Sequence, residues 1–231
     1  MEETTQKLFV SDVSDIERVA FYKKTYTHVA GGVLAFILAE YVLLQSDAVV
    51  NFALSLTQGY KWLLMLGGFM FITNYSEKMM QKTTDKNTQY LAYGIYIIAE
   101  AFIFIPLIYM AIAYTNNYDI LNQAAIVTLS LFSGLTAIVF VTKKDFSFLR
   151  SAMTIGFFIA IGLILAGILF GFNLGLWFSV GMCALAAGSI LYQTSNLIYK
   201  YATDQYIPAA LGLFASLMLL FWYVLSIFSR D

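Results

Sequence analysis

Apolar runs long enough to cross a bilayer constrain this chain more than any other feature. Seven can be drawn, over about 25–44, 60–76, 89–113, 122–142, 148–170, 174–199 and 207–228. Most reach or approach the roughly 20 residues a helix needs to traverse the hydrocarbon. There every backbone N–H and C=O must find its partner within the protein, which favours helices. The expected fold class is therefore all-α: an integral membrane protein with a seven-transmembrane-helix bundle over 25–228. A polar tail at 1–24 precedes it and a short one at 229–231 follows. Connections are brief, so consecutive helices should be antiparallel neighbours.

Composition sharpens this. Only 12% of residues are charged, about half the share of an ordinary soluble domain. With a formal net charge of -1 and no dense Lys/Arg cluster, nucleic acid is not an expected partner. The lone Cys183, inside an apolar run, has no intrachain partner for a disulfide. The polar first 20 residues do not read as a cleavable signal peptide, so the first span is expected to serve as its own insertion signal.

Of the 13 basic residues, eleven fall on one side of the predicted spans: Lys7, Arg18, Lys23, Lys24, Lys78, Lys82, Lys86, Lys143, Lys144, Arg150 and Lys200. Only Lys61 and Arg230 fall on the other. The positive-inside rule then places the N-terminus in the cytoplasm and, with seven spans, the C-terminus outside. Trp62, Trp177 and Trp222 lie near the outer ends of their spans, while Tyr22, Tyr26, Tyr90, Tyr199 and Tyr206 cluster near the inner ends. Gly31 with Gly32, Gly156 with Ala160, Gly167 with Gly171 and Ala184 with Gly188 are small-residue candidates for close helix contacts. Ser14, with Glu17 three residues on, predicts the start of a short surface helix in the tail.

Polar residues inside the spans are the candidates for function. Ser189, Gln193, Asn196 and Lys200 fall at i, i+4, i+7 and i+11, one face of span six. Amides facing lipid are costly, so that face should look inward, toward span seven and Ser216. It serves either as structural glue or as part of a polar path. Glu100 sits near the middle of span three, where a charged carboxylate costs about 2.5–3.5 kcal/mol or more. It is either a proton- or cation-responsive group or a protonated carboxyl bridging helices. Glu40 is expected near the outer interface within reach of water, and His28 at the inner end of span one without a partner. A single histidine cannot complete a metal site, so neither metal nor cofactor is expected. Catalysis is not expected either. No base stands near an intramembrane serine, every Asp lies in a tail or loop, span seven lacks a lysine, and no phosphate-cradling glycine loop is present.

Three short motifs add a family likeness. They are Thr142-Lys143-Lys144-Asp145-Phe146-Ser147-Phe148-Leu149, then Leu191-Tyr192-Gln193-Thr194-Ser195-Asn196, and Asp204-x-Tyr206 followed by Ala209-Ala210-Leu211. Together they resemble the Bax inhibitor-1 family, and the likeness runs from about Tyr22 to the end. It implies a seven-span bundle with cytoplasmic-face positions Lys143, Lys144, Asp145 and Asp204. In calcium-leak members of that family, aspartates stand where this chain has Gln193 and Ser216, forming a pH-sensitive latch. Without two carboxylates sharing a proton, that coupled titration cannot occur at these positions. The Ser216 position and the ending Ser229-Arg230-Asp231 are similar to a bacterial inner-membrane branch that modulates the membrane-bound AAA protease FtsH. That branch has a glutamate at the Gln193 position. The resemblance thus implies a multi-pass protein of the bacterial inner membrane with a non-catalytic role in membrane-protein quality control, its tail acting as a handle. A leak for calcium or protons is the alternative.

Overall fold

A computed structural model of the chain describes residues 8–115, 117 and 119–230. Among the described residues, a 3-10 turn at Val10–Asp12 is followed by eight helices: α1 Asp15–Leu44, α2 Asp47–Ser55, α3 Lys61–Gln81, α4 Lys86–Thr115, α5 Asp119–Thr142, α6 Leu149–Phe170, α7 Gly175–Tyr199 and α8 Tyr206–Phe228. Six of them, α1 and α4 to α8, are long and apolar enough to cross a membrane. Helix α3 spans 21 residues but is not among the six, and it carries Lys61, Glu77 and Lys78.

Helix α8 is the axis of the bundle. It packs against α1, α3, α4, α5 and α7, and its sequence has the all-round hydrophobicity that a surrounded helix requires. Ile207, Ala210, Leu213, Phe214, Leu220 and Leu225 are fully enclosed. Helix α6 is the opposite case, since it packs on α7 and buries only Ala160.

Side-chain contacts define the two ends. At one, Tyr22 packs on Phe140, Lys86 Nζ donates to the Asp204 carbonyl, and Tyr199 Oη donates to the Lys143 carbonyl. The starts of α1, α4 and α8 therefore meet the ends of α5 and α7. This basic end gathers most of the lysines. At the opposite end Trp62 and Trp222 stack with ring centroids 6.3 Å apart.

Two elements depart from the sequence expectation. The helix begun at Ser14 is not a short surface piece: it runs unbroken into the first span. The cap itself is as expected, with Ser14 Oγ accepting from Glu17 N–H at 3.3 Å and Glu17 Oε2 accepting from Ser14 N–H at 3.2 Å. Ser14→Ala should remove about 1 kcal/mol of helix stability, measurable as earlier fraying of residues 15–20 in hydrogen exchange. The stretch between the first two spans, expected to be a loop, contains α2. Its Val50 and Ala53 form a small cluster with Ile105.

In the tail, residues 1–7 lie outside the described residues, and the segment from residue 8 onward is docked on the bundle. Val10 is completely buried, Phe9 bridges to Ala202, and Val10 N–H donates to the Tyr201 carbonyl at 3.0 Å. Arg18 secures the segment from below, donating to the carbonyls of Val10, Ser11 and Val13. The apolar triplet Leu8-Phe9-Val10 within a polar tail is the sequence signal for this docking.

Candidate functional site

The polar face of α7 does meet α8. Ser189 Oγ and Ser216 Oγ lie 2.7 Å apart, and Ser216 Oγ donates onward to the Gly212 carbonyl at 2.8 Å. One turn nearer the basic end, the Gln193 amide lies where a side chain on Gly212 would stand, 2.9 Å from the position a Cβ would take. Gly212 thus admits a polar side chain to an otherwise apolar helix, a role the sequence reading did not assign. In this register Gln193 is opposite Gly212, and Ser216 pairs with Ser189 rather than with Gln193. Asn196 is buried and its side-chain amide donates to Gln193 Oε1 at 3.4 Å, while its Oδ1 lacks a partner among the described residues.

The next turn of α7 holds the motif loop. Ser195 is fully buried and donates to Asp145 Oδ1 at 3.2 Å, while its Oγ accepts from Phe146 N–H at 3.0 Å. Asp145 Oδ1 also accepts from Ser147 N–H at 2.9 Å and Ser147 Oγ at 2.6 Å. Lys143 begins the turn in a left-handed conformation, φ 49°. The loop motif and the α7 motif are therefore one structural unit. The Ser147 hydrogen bonds, helped by Ser195 and the Lys200 charge, hold the Asp145 carboxyl below the usual carboxylate range. A depressed pKa contributes stability above the unfolded value and loses it as pH falls through the folded one. Loop protection should therefore be constant from pH 5 to 8 and weaken only in acid below the ordinary aspartate range. Ser195→Ala, which strands the Phe146 N–H, should cost about 1–3 kcal/mol and speed proteolysis at 143–148.

Between α3, α7 and α8 at the basic end lies a polar cavity of about 300 Å³, lined by Glu77, Gln193, Lys200, Tyr201 and Gln205 among others. Glu77 was missed from sequence because α3 runs on to Gln81, carrying into the bundle a residue that the expected span end left in a loop. The intramembrane acids stand elsewhere. Glu100 on α4 is 6% exposed with Oε2 unpartnered, and the cavity that Gln193 lines does not include it. Glu40, expected within reach of water, is instead 5% exposed, and neither of its carboxyl oxygens has a partner among the described residues. It lines a cleft with residues of α4, α5 and α8.

His28, expected to lack a partner, has two. Nδ1 lies 2.7 Å from the Lys24 carbonyl, an acceptor, so it carries the proton. Nε2 is hydrogen-bonded to Tyr90 Oη at 2.8 Å. The Tyr206 ring sits against His28, with Lys86 Nζ 4.6 Å and Lys24 Nζ 5.5 Å from its centroid. The Asp204-x-Tyr206 motif thus ties the start of α8 to α1 and α4.

Comparison with known proteins shows the family. The family model described as "Inhibitor of apoptosis-promoting Bax1" matches residues 18–231. Protein LIFEGUARD 4 of Arabidopsis thaliana is 31% identical over 219 residues, 91% of this chain and 85% of that protein. An uncharacterized protein of Pseudomonas aeruginosa is 36% identical over 124 residues, 53% of this chain. An uncharacterized membrane protein of Vibrio cholerae is 32% identical over 123 residues, again 53% of this chain. The matched regions span 55% of each of these two bacterial relatives. This chain belongs to the Bax inhibitor-1 family, and is a multi-pass helical membrane protein.

Proposed function

We propose that the chain is a seven-span protein of the bacterial inner membrane that acts without catalysis, modulating membrane-protein quality control through a membrane-bound AAA protease such as FtsH. Helix α3 serves as the seventh crossing. Its Trp62 reaches Trp222 at one end of the bundle, while Met80 and Gln81 line the cavity beside Lys200 at the other. At 1.5 Å per residue, its 21 residues extend about 31 Å, the thickness of the hydrocarbon. With the basic end in the cytoplasm, the N-terminus lies inside and the C-terminus outside.

The observation that carries the modulator reading is the tied cytoplasmic face. The segment 8–13, the 143–148 loop and the 200–205 loop are joined by hydrogen bonds through Tyr201, Thr203, Ser195 and Tyr199. Lysines surround this fixed platform, which suits docking a cytosolic partner domain. The handle expected of the polar tail reduces to the part before Ser14, because α1 begins at Asp15. Co-purification from bacterial membranes tests this. Recovery of the protease should survive Glu100→Gln and be lost when residues 1–13 are deleted; unchanged recovery after that deletion refutes the handle.

A cation or proton leak is the second reading, favoured by one observation. The cavity holding Glu77, Gln193 and Lys200 is a polar vestibule opening at the basic end. Ions entering there would next have to part the Ser189–Ser216 contact.

A further inference from the structure

A second cavity, about 370 Å³, lies between α1 and α5 at the end of the bundle away from the lysines. These two helices converge at the basic end, where Tyr22 and Tyr26 pack on Phe140 and Tyr26 also meets Phe132. Beyond those rings they part. Phe36 and Leu44 of α1 then face Leu121 and Ala125 of α5 across a cleft floored by Leu217, Met218 and Phe221 of α8. The rim residues Ile37 and Leu129 are 54% and 49% exposed, so the cleft opens sideways, toward lipid.

Its wall is apolar except for Glu40, Thr128 and Asn122. Glu40 is 95% removed from solvent, and both of its oxygens, like Thr128 Oγ1, lack a hydrogen-bond partner among the described residues. No Lys, Arg or His is among the described residues lining the cleft. A buried carboxyl with no partner is rare, because an unmet polar group in a dry site is costly. A pocket of this size, apolar with a few converging polar groups, has the make-up of a small-molecule site.

We propose that the α1–α5 cleft binds a lipophilic amine entering from the bilayer. Its ammonium hydrogen-bonds to Glu40 and Thr128 while its alkyl chain lies along Phe36, Leu217 and Phe221. The ammonium supplies the charge and the several N–H donors that two unpartnered carboxyl oxygens call for. An alcohol offers one weaker donor, and a fatty acid would bring a second carboxyl to the first.

The test titrates the intact protein in detergent with decylamine, decanol and decanoic acid, counting bound molecules by native mass spectrometry. One decylamine per chain is expected, held about tenfold or more tighter than decanol because its hydrogen bonds are charge-assisted. Glu40→Gln should abolish that preference, and Glu100→Gln should leave it intact. Ala125→Phe keeps the carboxyl but fills the cleft, and should prevent binding. Equal retention of all three ligands would mean an unselective acyl groove and overturn the proposal, as would a preference that survives Glu40→Gln. Should Glu40→Gln fail to fold, decylamine retained by Ala125→Phe overturns it instead.

Discussion

Phe214→Ala is expected to lower stability by about 3–5 kcal/mol, the usual cost of deleting a large buried aromatic and leaving a cavity. The ring is fully buried and meets Tyr93 edge-on at 5.8 Å and Tyr96 at 6.3 Å. It stands on the helix that five others surround, so the void opens at the centre of the bundle, where collapse is hardest. Phe158, on α6, is 68% exposed, and its replacement by Ala should change stability by about 0.5 kcal/mol or less. Thermal unfolding of the two variants in detergent separates them. Similar melting temperatures would mean that α8 is not the axis.

Gly32→Leu should be nearly as damaging, by overpacking. Even the first added carbon would stand in the space of the Tyr93 phenol and 3.2 Å from Phe214 Cδ2. The phenol cannot swing aside cheaply, because it is buried and donates to the His28 carbonyl at 3.0 Å. Overpacking of this kind costs about 1–3 kcal/mol or more, and Gly32→Ala should lie at the lower end. Combining Gly32→Ala with Tyr93→Leu relieves the clash, so the double variant should be about 0.5–3 kcal/mol more stable than the sum of the single changes. Gly31, next in the chain, has nothing within 4 Å of its Cβ position, and Gly31→Ala should be neutral or slightly stabilising. Strict additivity would mean that α1 and α4 do not approach at Gly32.

Gly31 and Gly32 also show how far the sequence could be read. Composition and spacing pick out small residues on a helix, but which of two adjacent glycines faces a neighbour depends on packing that no local pattern encodes. Among the other pairs, Gly156 does press on Leu185, whereas Gly171 ends α6 as a left-handed cap, φ 73°, and a Cβ placed on Gly188 would have nothing within 4 Å. The helices were legible because their signal is twenty residues long. The α7 face was legible because an amide in hydrocarbon has few places to point.

Its partner was less so. Gln193 meets Gly212, and a glycine advertises nothing about what fills the space it leaves. Glu77 and the buried state of Glu40 were missed for a shared reason: both lie near predicted helix ends, where an error of one turn moves a residue between interface and interior. The capping box at Ser14 was legible, but whether its helix would stop or continue into the first span was not. Of the motifs, Lys143 to Ser147 and Tyr192 to Asn196 were recognisable as a pair. Their joining through Ser195 and Asp145 explains physically why they occur together.

The α7–α8 seam is closed by hydroxyls and an amide, groups that do not titrate near neutrality, so proton concentration is not expected to open it. Calcium release from liposomes carrying the purified protein, followed with an internal dye at pH 6 and pH 8, tests this most directly. The expected result is release indistinguishable from protein-free liposomes at both values. Release above that background that changes between the two would contradict it.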